Sequence, residues 1–217
     1  MLIKIRLNFR TNRVVRNFIF VDLALLAGWG LVQPIFSIYV VRTVSGATLV
    51  TVGIAAAIYW ILKSILQIPI ANYLDRKPGE ADDFRALVAG LLVAAFAAFS
   101  FGFIREIWHL YLVEVVHAIA FALYVPAWSA IFSRHVDKDR VSFDWSLDST
   151  VAGLSAGASG FLGGVLADQL GFTSVFIFAA FFSLASAFVL LLAPDVILPK
   201  KQAAPALRDH TPKDLGQ

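Results

Sequence analysis

Apolar positions dominate six long stretches of the chain, which short polar connections separate. The stretches are residues 18–41, 49–73, 84–104, 108–132, 146–166 and 172–192. A helix needs roughly 20 consecutive apolar residues to cross the hydrocarbon core of a bilayer, and every stretch is at least that long. The pattern therefore predicts an all-α integral membrane protein with six transmembrane helices.

Composition narrows the class of protein. The chain is 59% hydrophobic and 15% charged, and its mean hydropathy is +0.77. These values exclude a soluble enzyme. There is no cysteine, so disulfides, thiolate nucleophiles and cysteine-bound metals are excluded. Neither a nucleophile elbow nor metal-ligand spacing occurs, and we predict no enzymatic activity, no cofactor and no metal.

The basic residues predict how the chain is oriented. Fourteen Lys and Arg residues lie before the first stretch, after the sixth, or in the connections that share that side, and Arg85 at the start of the third stretch makes fifteen. Arg42 and Arg105 alone lie in the other connections. The positive-inside rule then places both termini in the cytoplasm, in a multi-pass protein of the plasma membrane. Residues 1–17 are predicted to be a basic cytoplasmic segment and 193–217 a disordered cytoplasmic tail. Because the charges are spread over loop ends, nucleic-acid binding is not predicted.

A weak internal repeat predicts the architecture. A shift of about 92 residues places 34–38 (PIFSI) on 126–130 (PAWSA) and Asp22 on Glu114. This favours a duplicated three-helix unit. Because three crossings are an odd number, the second unit must cross in the opposite sense, which gives an inverted 3+3 repeat. The predicted repeats are 18–104 and 108–192.

Polar and aromatic residues recur at helical spacing in the first, second and fourth stretches, and the fifth carries polar residues among glycines. The third and sixth stretches hold nothing more polar than serine, so we expect them to face lipid. The polar faces predict a cavity for substrate or proton coupling, formed by Asp22, Trp29, Gln33, Trp60, Lys63, Gln67, Glu114, His117, Tyr124 and Trp128.

Charged side chains inside these stretches need partners, because each costs about 2.5 to 3.5 kcal/mol at the bilayer centre. Asp22 and Lys63 have similar predicted depths and are expected to pair. The pair could serve transport or only hold two helices together. Glu114 has no cation of matching depth, so it is either a titrating carboxyl that carries protons or a neutral group bonded to His117 or backbone.

Two further patterns have both a packing and a functional interpretation. The aromatic residues Trp29, Trp60, Tyr124 and Trp128 could form a stacking wall for a solute or simply pack between helices. Glycines at 153, 157, 160 and 164 give small-xxx-small spacing, which favours close helix approach.

These features together resemble one half of a major facilitator superfamily transporter, over about residues 17–192. The loop LDRKPG at 74–79 is similar to that family's signature GxxxDRxGRR, although Ala71 replaces the first glycine, Pro78 precedes the Gly, and acidic Glu80, Asp82 and Asp83 replace the basic ending.

The resemblance implies a cytoplasmic gate that closes by charge pairing. Its members would be Asp75, Arg76, Arg134 and either Asp144 or Asp148. The alternative is an ordinary solvated loop that caps a helix.

The resemblance also implies a secondary transporter that moves a small solute by alternating access. Transporters of this family have two such halves, so a parallel homodimer is expected, with protons as possible coupling ions. Alternatives are a half that needs a different partner half, a truncated product without transport, and a membrane scaffold.

Overall fold

The computed structural model describes residues 11–76 and 79–192, which form seven helices and, within these ranges, no strand. The helices are α1 (Arg13–Val32), α2 (Phe36–Thr43), α3 (Leu49–Leu74), α4 (Ala81–Phe101), α5 (Ile107–His135), α6 (Val141–Leu170) and α7 (Phe172–Leu192). The predicted tail at 193–217 lies outside the described residues, as does most of the predicted N-terminal segment.

Six of the helices are long and apolar enough to cross a membrane: α1, α3, α4, α5, α6 and α7. This confirms the all-α fold with six candidate membrane helices within the described residues. We call the side at which α1 begins and α3 ends the terminal face, and the other side the far face.

The first predicted stretch is two helices rather than one, because Pro34 interrupts it. Proline has no N–H to donate to the preceding turn. The backbone N–H of Gln33 still reaches Trp29 at 3.0 Å, but that of Ile35 bonds Val32 in a tighter turn at 3.1 Å. Pro69 and Pro126 lie inside α3 and α5, whose helices continue through them. The short helix α2 therefore restarts the crossing toward the far face.

Helices from the two halves of the chain pack in corresponding ways. α1 lies between α6 and α7, α5 lies between α3 and α4, and α4 meets α7. On α6, Gly163 abuts the backbone of Leu31 where a Cβ would overlap it, and Ser155 donates to the Leu23 carbonyl at 3.1 Å. The correspondence is what an inverted repeat would produce, and that repeat remains a prediction.

α3 and α6 occupy the two ends of this arrangement and are the least covered helices. Only 11% of the residues in their apolar windows are buried, against 44% to 56% in the other four. At Gly153, Gly157 and Gly164 of α6, no other atom lies within 4 Å of the place that a Cβ would occupy. Within the described chain, α3 and α6 thus have the most uncovered apolar surface.

Candidate functional site

A cavity of about 170 Å³ lies in the half of the bundle nearer the far face. Its walls come from α1, α2, α3, α4 and α5 and are mainly aromatic and aliphatic. The lining residues are Trp29, Val32, Gln33, Phe36, Ala56, Tyr59, Trp60, Phe101, Glu114 and His117.

The imidazole of His117 lies between two aromatic rings. Trp29 stacks on it at 4.1 Å between ring centroids with planes 2° apart, and Tyr59 stacks on it at 4.2 Å with planes 22° apart. Phe101 and Phe121 meet the same imidazole edge-on, at 5.8 Å and 5.1 Å. These contacts leave the ring little rotational freedom.

Glu114 and His117 form a pair one helical turn apart on α5. His117 Nδ1 lies 3.1 Å from Glu114 Oε2, and Glu114 is 4% exposed. Spacing of three residues on a helix brings such side chains together. The contact agrees with the hydrogen-bonded interpretation of Glu114, whereas its titration during transport remains a prediction. Only one of the two imidazole nitrogens is used by this contact.

Lys63 does not pair with Asp22, so that prediction was wrong. Asp22 Oδ1 instead accepts a hydrogen bond from the Tyr124 hydroxyl at 2.6 Å. The ammonium of Lys63 lies 4.8 Å from the ring centroid of Trp60 and 5.7 Å from that of Tyr59. Cation–π attraction thus holds the lysine at the edge of the cavity. The two side chains have similar depths, but they point into different parts of the bundle.

The structure brings five of the ten predicted cavity residues to the cavity wall: Trp29, Gln33, Trp60, Glu114 and His117. Lys63 lies beside the wall through its aromatic contacts. Asp22 and Tyr124 bond each other nearer the terminal face, and Gln67 lies one turn beyond Lys63 toward that face. Trp128 packs on Phe132 at 4.6 Å with planes 13° apart, which agrees with the packing interpretation for this residue.

Tyr59, Phe36 and Phe101 line the cavity but were not predicted. Tyr59 precedes Lys63 by one helical turn, so the helical face through Lys63 could have revealed it. Phe101 lies on α4, which was expected to face lipid because it carries no strongly polar side chain. An aromatic wall leaves no polar signal in the sequence.

Arg134 near the terminal face is bound by acids of the α3–α4 connection and α4. It donates to the buried Asp83 carboxylate and lies 3.9 Å from Glu80. His135 Nδ1 lies 3.5 Å from the same Glu80 oxygen. We call these four residues the arginine cluster. Two of the three acids that replace the basic ending of the family signature, Glu80 and Asp83, thus bind Arg134.

Burial raises the pKa of Glu80 above its ordinary value, and His135 and Arg134 counter part of this rise. Glu80 is the N-cap residue of α4 and lies outside the membrane-spanning segments.

The residues near the α3–α4 connection that contact Arg134 are not the ones predicted for the gate. Asp75 acts on Arg134 only at longer range, and Arg76 is exposed. The direct partners of Arg134 are the acids that follow these two residues in the chain.

The predicted gate residues of α6 also lie apart from Arg134. Asp144 accepts from the Asp137 N–H at 3.0 Å and from the Thr11 hydroxyl at 3.3 Å. Asp148, on the next turn of α6, lies deeper in the bundle. The charge pairing at the terminal face therefore depends on the α3–α4 connection rather than on α6.

Six apolar helices, four of which line a partly polar cavity, define a multi-pass membrane protein. The sequence matches the model of the Major Facilitator Superfamily over residues 18–215, so the chain belongs to that family. Six membrane helices within 217 residues fit half of such a transporter. No curated protein matches the chain significantly.

Proposed function

We propose that this protein is a secondary transporter that moves a small solute by alternating access and uses Glu114 as its proton-coupling group. The observation that carries the proposal is the Glu114–His117 pair at the cavity wall. A carboxyl group at this depth is costly unless it is neutral or paired. A carrier that exchanges protons with its solute has a use for such a group.

The cavity wall indicates what kind of solute would fit. Trp29, Tyr59 and Trp60 present ring surfaces, and the indole N–H of Trp29 is buried without a hydrogen-bond acceptor among the described residues. Gln33 and Glu114 add polar atoms at the same wall. A small solute with an apolar or aromatic body and one hydrogen-bond acceptor would satisfy both features.

A second half is needed to close the cavity, and we propose that a second copy of this chain supplies it. The uncovered surfaces of α3 and α6 support this arrangement, because these helices bury the smallest share of their apolar residues. A parallel two-fold axis would place α3 of each copy opposite α6 of the other, with both termini of each copy in the cytoplasm. The glycines on the open face of α6 would allow close approach.

Transport is tested in proteoliposomes by solid-supported membrane electrophysiology with a panel of sugars, amino acids and small organic cations. We expect at least one solute to produce a current that depends on the pH gradient. Glu114→Gln should abolish that dependence because the amide cannot exchange a proton. Glu106→Gln is the matched control, since Glu106 is exposed at the start of the same helix. Equal currents for both variants would contradict the assignment of Glu114.

Dimer formation is tested by native mass spectrometry in nanodiscs. We expect a mass near twice 23.7 kDa, and loss of the dimer in Gly157→Trp because the bulky ring would separate the two copies. Leu184→Trp on the exposed side of α7 is the control. A monomer in every preparation would contradict the homodimer and favour a different partner half.

A further inference from the structure

Lys63 is the one Lys or Arg residue in the interior of the six apolar stretches. The others among the 18 lie in the connections and terminal segments or, as Arg85 does, at the start of a stretch. Lys63 is eleven residues from the end of α3 at Leu74, about 16 Å along the helix. Its side chain cannot reach the water beyond the helix end, as a lysine near a helix terminus does. A charge at this depth needs a partner.

The described residues do not supply that partner. Among them, Lys63 forms no ion pair with an acid, and Glu114 of the cavity wall is bonded to His117 at 3.1 Å. The Lys63 ammonium lies over the rings of Trp60 and Tyr59 instead. A ring face attracts a cation but offers no oxygen or nitrogen acceptor to the three N–H donors of an ammonium group. Those donors are therefore left for a ligand.

A second unpaired donor belongs to the same cavity wall. The indole N–H of Trp29 is buried and has no acceptor in the part of the chain that the structure describes. An indole N–H donates but cannot accept. Trp29 and Tyr59 stack on opposite faces of the His117 ring, at 4.1 Å and 4.2 Å between centroids. The groups left unpaired around the cavity are thus hydrogen-bond donors from α1 and α3, and one of them is a cation.

A carboxylate is complementary to such donors. It only accepts hydrogen bonds, through two oxygens, and its hydrogen bond with an ammonium group is strengthened by both charges. We propose that the solute is a small organic carboxylate, whose acidic group binds Lys63 and whose apolar or aromatic body lies against the rings of Tyr59 and Trp60. The Trp29 indole is a further donor for the same ligand. The inference rests on the proposed function and deepens it by naming the substrate class.

Other classes of solute fit the cavity less well. An organic cation would meet the ammonium of Lys63 at the ring faces that already hold it, and like charges repel each other. A sugar needs a partner for each hydroxyl group, whereas the wall is mainly aromatic and aliphatic. Among the solutes in the transport panel, amino acids carry a carboxylate, so we expect the current from one of them.

The size of the cavity favours a compact acid. Its volume is about 170 Å³, which is below the range of about 300 to 1,000 Å³ for pockets that hold drug-sized ligands. Suitable probes are phenylacetate, L-phenylalanine and hexanoate, each compared with its own amide. The amide keeps the body of the acid and removes the negative charge, so the comparison isolates the contribution of the carboxylate.

Binding is tested on the full chain in nanodiscs, without transport, by thermal unfolding and isothermal titration calorimetry. At least one of the three acids should raise the Tm, because a ligand that binds the folded state stabilises it. The matched amide should have a Kd higher by about tenfold or more, since it cannot form a charge-assisted hydrogen bond with Lys63.

Two variants locate the binding groups. Lys63→Gln should raise the Kd of the acid by about tenfold or more and leave that of the amide nearly unchanged. Lys138→Gln, at an exposed lysine of the α5–α6 connection, is the matched control and should bind as the wild type does. Trp29→Phe should raise the Kd by about threefold to tenfold. It keeps an aromatic ring and removes no hydrogen bond formed by the described residues.

Three results would overturn the proposal: no acid raises the Tm, the amide binds as tightly as the acid, or Lys63→Gln keeps the wild-type Kd. The first would show that a second half supplies the partner of Lys63. If Lys63→Gln does not fold, an unchanged Kd in Trp29→Phe contradicts the proposal. A pH-dependent current from a sugar or an organic cation would then leave the proposed function intact. Conversely, Lys63-dependent binding without any current would contradict transport alone.

Discussion

Two buried acidic side chains, Asp83 and Asp22, have different kinds of partner. In the arginine cluster near the terminal face, the fully buried Asp83 is met by the guanidinium of Arg134. Asp22, deeper in the bundle, instead accepts a hydrogen bond from the Tyr124 hydroxyl at 2.6 Å. Near the membrane surface a long basic side chain can lay its apolar stem against the bundle and keep its charged head partly in water while it pairs with an acid. Deeper in the bundle, a neutral hydroxyl group takes the place of the basic side chain as the partner of Asp22.

The difference predicts that loss of the two partners destabilises the fold by different amounts, and the largest effect is expected at Arg134. Arg134→Leu would leave Asp83 buried without its counter-charge. Loss of one partner of a buried ion pair costs about 3 to 5 kcal/mol, and because the Arg134 side chain is 39% exposed we expect a loss of about 3 kcal/mol in the free energy of unfolding. Equilibrium unfolding in mixed micelles measures it. Arg76→Leu is the control, with a change below about 0.5 kcal/mol.

Tyr124→Phe should have the next largest effect. It removes the hydrogen bond that Asp22 accepts within the described residues and leaves a buried acceptor unsatisfied. The expected loss is about 1 to 2 kcal/mol, measured by the same unfolding experiment. Tyr111→Phe, at a half-buried position of the same helix, serves for comparison. An unchanged free energy of unfolding in Tyr124→Phe would show that the hydrogen bond between Tyr124 and Asp22 does not stabilise the fold.

Asp148→Asn should change stability little and in the opposite direction from Arg134→Leu. The amide has nearly the shape of the carboxyl group and cannot ionise, so no charge remains to be paired. We expect a gain of about 0 to 1 kcal/mol from unfolding curves at neutral pH. A loss as large as that of Arg134→Leu would mean that Asp148 is ionised and has a partner, as Asp83 does.

The smallest effect is expected at Glu80, as a change in the pH dependence of the free energy of unfolding. Its pKa in the folded state is raised above the ordinary value of 4.5, chiefly by burial. The folded state then binds the proton more tightly than the unfolded state does. The stabilisation is complete below pH 4.5 and is lost as the pH rises through the folded pKa. Glu80→Gln should flatten the stability curve in this window by about 0.5 kcal/mol or less, as unfolding at a series of pH values would show.

The local pattern of the sequence was sufficient to predict the six membrane helices and some of the residues that line the cavity. Apolar length predicted six membrane helices, and helical spacing placed Trp29, Gln33, Glu114 and His117 on faces that do line the cavity. These inferences succeed because the length and periodicity of a helix are properties of consecutive residues. The resemblance to the family rested on the same local features and was confirmed by the family match.

Partners between helices depended on tertiary structure. Asp22 and Lys63 have matching predicted depths. The orientations of α1 and α3 about their axes nevertheless bring Asp22 to Tyr124 and Lys63 to Trp60. Asp83 could be recognised as a departure from the family signature, but only the approach of α4 to the end of α5 brings it to Arg134. Sequence spacing determines depth and face within a helix, whereas the rotation and register between packed helices determine which side chains meet.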